Sequence, residues 1–139
     1  MKLFAAMLLC FVFCFSISGC SDKTAGLVKV SGTVTVDGKP LQHGVVRFLP
    51  SGNRSSSGNL DENGNFSLSC YELNDGAFAC LHQVEITATE SLGQKGIKWW
   101  APKKYASVAE SGLTADISGP TDSLVFELKW NGGKPFVEK

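Results

Sequence analysis

The chain has 139 residues, a length that admits one compact domain and leaves no room for a second. Its 13 basic and 13 acidic side chains balance with no block of Lys or Arg, which excludes the electrostatic footprint of a nucleic-acid binder and an acidic tail for a basic partner. Nine Phe, three Trp and two Tyr among many Val, Thr, Ser and Gly describe an ordered, β-rich domain, and after residue 20 no apolar positions recur at helical spacing.

Lys2 is followed by thirteen apolar residues, Leu3 to Phe15, then by the small-residue cluster Ser16 to Gly19 and by Cys20. This is the pattern of a secretory signal peptide. Thirteen residues span about 20 Å as a helix, short of the ~30 Å hydrocarbon core, so a permanent transmembrane helix is the weaker reading. Cys10 and Cys14 would leave with the segment. The junction Ile17-Ser18-Gly19-Cys20 resembles the lipobox of bacterial lipoproteins. That resemblance implies removal of residues 1–19 and diacylation of the Cys20 thiol; the alternative is an ordinary secreted protein cut nearby. Two or three acyl chains, at about 0.8 kcal/mol per buried methylene, would anchor the domain lastingly. The mature chain would carry 12 basic and 13 acidic side chains. Residues 20–27 then form a short tether, and Ser21 to Leu27 reach at most roughly 25 Å. Ser21, rather than Asp, after the lipidated cysteine leans toward the outer membrane in that family's sorting pattern.

From Val28 the sequence turns to strands. Val28, Val30, Val34 and Val36 share one parity with Gly32, and Lys29, Ser31, Thr33 and Thr35 take the other, as in a half-buried strand. Asp37-Gly38 and Pro40 supply turn chemistry, and Val46 and Phe48 resume the inward parity before Pro50. A hairpin or near-hairpin is expected over residues 28–50. Ser57 to Leu60 reads as a short strand, Asp61 to Gly64 as a turn, and Asn65 to Cys70 as a strand with Phe66, Leu68 and Cys70 inward. Asp61, Asn63, Asn65 and Glu72 match an EF-hand spacing, but the sixth place, which needs glycine, holds Phe66, so no metal site is expected.

Tyr71 to Ala79 is turn-rich, and a strand follows over Leu81 to Thr89 with Val84, Ile86 and Ala88 of one parity. Cys70 and Cys80 bracket the turn. Exported thiols of inward parity tend to oxidise where their Cβ atoms meet, so a Cys70–Cys80 disulfide is expected over two separate buried thiols. Glu90 to Glu110 lacks strand alternation, and such segments are often functional. It holds the candidate binding residues Trp99, Trp100, Lys103, Lys104 and Tyr105, which would stack on a sugar or dock a protein if exposed, or cover one end of the domain if not. Gly112 to Ile117 and Ser123 to Trp130 finish the strands, the last with Leu124, Phe126, Leu128 and Trp130 inward. Asn131 to Lys139 reads as a frayed polar tail.

The order GTVTVDGKPL, GVVRFLP, DENGNFSL, NDGAF with HQVEITA, PKKYA with SGLTADI, and SLVFELK resembles the carboxypeptidase regulatory-like, transthyretin-like (prealbumin-like) domains of small bacterial lipoproteins. The resemblance covers about residues 28–130. It implies a seven-stranded antiparallel Greek-key β-sandwich. Where such sequences run DGAPPGxY, this chain has Asp75-Gly-Ala-Phe-Ala-Cys-Leu-His82, so Cys80 replaces a glycine and His82 an aromatic, which argues for packing by His82.

No catalytic residue, metal or cofactor is expected. There is no GxSxG, HExxH or phosphate loop, and His43 and His82 are the only histidines. A relative of this fold that hydrolyses hydroxyisourate carries a C-terminal Tyr-Arg-Gly-Ser that the tail NGGKPFVEK lacks. The sequence favours a structural or assembly module of the bacterial cell envelope, partnered by the membrane through its lipid; the alternative is a glycan- or protein-binding module using the Trp99–Tyr105 loop.

Overall fold

The structure, a computed structural model, describes residues 24–139. The signal segment and the acylation site Cys20 lie outside the described residues. In chain order the strands are β1 (Leu27–Val28), β2 (Val30–Val36), β3 (Lys39–Pro40), β4 (Val45–Pro50), β5 (Ser56–Asn59), β6 (Asn65–Ser67), β7 (Ala77–Phe78), β8 (Leu81–Thr87), β9 (Thr89–Ser91), β10 (Ile97–Trp99), β11 (Leu113–Asp116), β12 (Thr121–Leu128) and β13 (Phe136–Glu138). A four-residue helix, α1 (Val108–Ser111), and two 3-10 turns lie between β9 and β11. The protein is all-β.

The valine alternation builds β2 as the sequence predicts: Val30, Gly32 and Val34 are buried, and Ser31 and Thr33 face outward. Asp37 (φ 48°) and Gly38 (φ 78°) are both left-handed, the conformation a two-residue hairpin turn requires. That turn pairs β2 only with β3. The expected hairpin between β2 and the strand of Val46 and Phe48 does not form. After Pro40 the chain crosses to the other layer, where β4 joins an antiparallel sheet in the order β11-β8-β4-β5.

β2 belongs to a second sheet, antiparallel to β6 on one edge and parallel to β12 on the other. The antiparallel expectation therefore fails at this pair. The residues after β11 carry the chain back to the end where β2 starts, and the Thr121 N–H donates to the Lys29 carbonyl at 2.9 Å, so β12 runs beside β2 in the same direction. Gly32 is what lets the three strands close up, because a Cβ there would collide with the Leu124 carbonyl oxygen and the Phe66 ring.

The inner faces of the two sheets share one core. Phe48 of β4 lies 6.2 Å from Phe66 and, edge-on, 5.9 Å from Phe126, with Val34, Val46, Leu68, Val84, Ile86 and Leu128 fully buried around them. At one edge Ser57 and Ser69 exchange backbone hydrogen bonds of 3.0 and 2.8 Å, tying β5 to the segment after β6. His82 is wholly buried, its ring 5.5 Å from Phe48, as a packing role implies.

Cys70 and Cys80 are not bonded; both are free thiols, which corrects the expected bridge. Their sulfurs point to different places: Cys70 Sγ faces the carbonyls of Arg54 and Ser55, and Cys80 Sγ faces His82 Nε2 at 3.6 Å. Asp75 restrains the intervening loop instead. Its carboxylate accepts the N–H groups of Cys70, Tyr71 and Glu72 at 2.6, 2.9 and 2.9 Å. Partial burial alone would raise its pKa, but those donors together hold it below the ordinary carboxylate value.

A small third sheet, in the order β13-β10-β9, occupies the stretch read as irregular. The tail read as frayed supplies β13, which pairs Phe136 with Trp99, Val137 with Lys98 and Glu138 with Ile97. Sequence polarity concealed an aromatic contact: Phe136 stacks on Trp99 at 6.4 Å and 14°. Gly96 leaves room for the tail, since a Cβ there would meet the Glu138 carbonyl oxygen.

Candidate functional site

Adjacent residues of an extended chain point to opposite sides, and this separates Trp99 from Trp100. Trp99 is engaged by the tail. Its Nε1–H donates to Glu138 Oε2 at 3.1 Å, Lys103 Nζ stands 5.2 Å over its ring, and Lys103 pairs with Glu138 at 2.7 Å. The Lys103 ammonium, and then the Trp99 N–H, hold the Glu138 carboxyl below its usual pKa. Tyr105 is buried and its hydroxyl accepts the Lys129 N–H at 3.2 Å, while Lys104 lies 4.7 Å over its ring. Of the five residues singled out in the Trp99–Tyr105 segment, four are thus committed to holding the fold or the tail.

Trp100 is different. Its Nε1–H donates to Glu90 and Lys98 Nζ sits 3.6 Å over its ring, but the ring also forms one wall of a cleft of about 500 Å³. Trp130 and Pro135 line it, together with Pro40, Leu41 and His43. His43 is exposed and lies 5.7 Å from the Trp100 ring at 44°. Asp37, Lys39, Gln42 and Lys134 add polar and charged groups. Asp37 Oδ1 accepts the Trp130 N–H at 3.3 Å, which fixes the end of β12 against the β2–β3 turn.

Three chain segments far apart in sequence build this cleft: the turn after β2, the residue after β10 and the loop from Trp130 into β13. Its volume is that of a small-ligand site, with apolar walls and a few polar groups. Sequence reading missed Trp130 as a wall because its parity matched Phe126 and Leu128, although it stands two residues past the end of the buried run. Pro135 is hidden from sequence because Asn131 to Lys139 has the composition of a frayed polar tail.

Elsewhere the rejected calcium motif is a turn. Asp61 Oδ1 accepts the N–H groups of Asn63 and Asn65 at 2.8 Å each, and Oδ2 accepts the Asn65 amide at 3.2 Å. The Asn65 N–H in particular holds its carboxyl below the usual value. No cluster of three or more His, Cys, Asp or Glu side chains suited to a metal ion occurs among the described residues, nor is any helix among them long and apolar enough to cross a membrane. Comparison with protein-family models, with curated proteins and with solved structures returns no match to this chain.

Proposed function

We propose that this chain is a lipoprotein of the bacterial cell envelope, acylated at Cys20 and held on the membrane, outer more than inner, with a non-catalytic glycan-binding domain. Residues 28–130 are read as a carboxypeptidase regulatory-like, transthyretin-like Greek-key sandwich of seven principal strands, an assignment supported by the order of its turn and strand motifs. The lipobox-like junction supports the anchor. The cleft between Trp100 and Trp130 is the observation that carries the binding function. A pyranose ring offers an apolar C–H face and a rim of hydroxyls, and this cleft offers aromatic and proline walls beside Asp37, Gln42 and His43.

The reading moves the binding residues from the Trp99–Tyr105 segment as a whole to Trp100 with Trp130. Titration of the acylated protein in detergent with a panel of envelope oligosaccharides, followed by calorimetry and tryptophan emission, tests it. At least one glycan is expected to bind, and Trp130→Ala should weaken that glycan by about five- to tenfold, the scale of losing one aromatic contact of about 1–1.5 kcal/mol. A panel without binding, or binding indifferent to Trp130→Ala and to Asp37→Ala, sinks the glycan reading in favour of a purely structural or assembly module.

A further inference from the structure

We infer that the loop Tyr71–Leu81 is a second, apolar contact with the phospholipid bilayer that seats the domain on the membrane beside its anchor. The inference rests on the reading of Cys20 as the acylated residue. Three exposed apolar side chains fall in this stretch: Leu73 is 86 % exposed, Leu81, the first residue of β8, 62 % and Tyr71 41 %. Soluble surfaces tolerate single exposed leucines, but two exposed leucines and a tyrosine on so short a stretch call for a partner.

The loop is fastened to the very residues that emerge from the tether. Leu27 pairs with Phe78 and Val28 with Ala77, the Ala79 N–H donates to the Gly26 carbonyl at 3.0 Å, and Lys29 Nζ donates to the Asn74 carbonyl. A side chain at position 76 would strike the Val28 carbonyl oxygen, so Gly76 makes this close fit possible. From Cys20 to Gly26 is six residues, about 20 Å when fully extended. The loop can therefore never lie far from the lipid surface, and a compact tether brings it there.

Chemistry agrees with geometry. Tyr71 carries an apolar ring with a polar tip, and Arg54 stands 5.1 Å over that ring, with Lys29 beside the loop as a second cation. Of the two acidic side chains in the loop, Asp75 is turned to its own backbone N–H groups. The Trp100–Trp130 cleft lies at the other end of β2, beyond Val36, and seven residues of strand put about 20 Å between the two ends. Seating the loop on the bilayer thus turns the cleft away from it.

The test uses the acylated full-length protein reconstituted into vesicles of phosphatidylethanolamine and phosphatidylglycerol, with or without a phosphatidylcholine brominated in its acyl chain. Leu73→Trp places an indole on the loop, and the native tryptophans, at the far end, provide the background. Mass analysis of the amino-terminal peptide first establishes acylation; its absence removes the anchor and overturns this inference with it. With the acyl group present, the introduced indole is expected to lose about half its emission to the brominated lipid, the depth of an interfacial side chain being ~5–10 Å. Quenching no greater than that of the native tryptophans overturns the inference while leaving the anchor standing. Hydrogen exchange supplies a second reading: vesicles should protect residues 71–81 in the wild type and lose that protection in Leu73→Asp/Leu81→Asp, and protection that persists in the double variant refutes a lipid contact.

Discussion

Asp75→Ala should destabilise the domain more than any surface substitution of its size, because the loop between the two free cysteines depends on that carboxylate. Three backbone N–H groups converge on it at 2.6 to 2.9 Å. Hydrogen bonds to a charged acceptor contribute about 1.5–3 kcal/mol each when buried, but this side chain is only half-buried and water replaces part of what is lost. A total of about 2 kcal/mol follows, enough to lower a urea midpoint by roughly 1 M at an m-value of about 2 kcal/mol/M. The pH dependence has a definite sign. Asp75 has a folded-state pKa below its unfolded value, so its contribution is complete above the unfolded value, about pH 4, and is lost as pH falls through the lower folded value. Urea unfolding of wild type and variant at pH 7 and at pH 2 should therefore show a gap that narrows in acid. A loss under about 0.5 kcal/mol at pH 7 would refute the reasoning. So would a wild type destabilised by reductant, since the loop would then be held by a bridge between Cys70 and Cys80.

Two further perturbations probe other parts of the same structure. Ser56 Oγ is buried without a hydrogen-bond partner among the described residues, so Ser56→Ala should leave stability unchanged or raise it by about 1 kcal/mol in denaturant unfolding, whereas an ordinary buried hydroxyl would cost about that much to remove. Glu138→Gln should loosen the tail and redden Trp99 emission; in the wild type the same reddening should appear only as pH falls below the ordinary glutamate range, because Lys103 and Trp99 lower the Glu138 pKa and the contact is present above it.

Residues that bury one face of a strand announce themselves in sequence, because their period of two is a local property. That is why the inward sets Val30/Val34, Val46/Phe48, Phe66/Leu68/Cys70, Val84/Ile86/Ala88 and Phe126/Leu128 were legible, and with them the all-β class. Parity says which side of a strand is inward, however, and not which strand lies beside it. The parallel pairing of β2 with β12, the separation of β2 from β4 into different sheets, and the pairing of the tail with β10 are all long-range choices. Each is made where side chains from distant segments fit: Leu124 over Gly32, Phe48 against Phe66, and Phe136 on Trp99.

The candidate site divides in the same way. Composition directed attention to Trp100, and the lipobox-like junction at Cys20 is wholly a matter of sequence. Only the folded chain brings Trp100 and Trp130 to the lining of one cleft and turns Trp99 to the tail, because a cleft is a relation among three segments and each of them looks ordinary alone. The cysteines show the limit most plainly. Their spacing and parity satisfied the local conditions for a bridge, but a disulfide needs two sulfurs to meet in space, and here the fold turns one toward the Arg54 and Ser55 carbonyls and the other toward His82, leaving Asp75 to hold the loop.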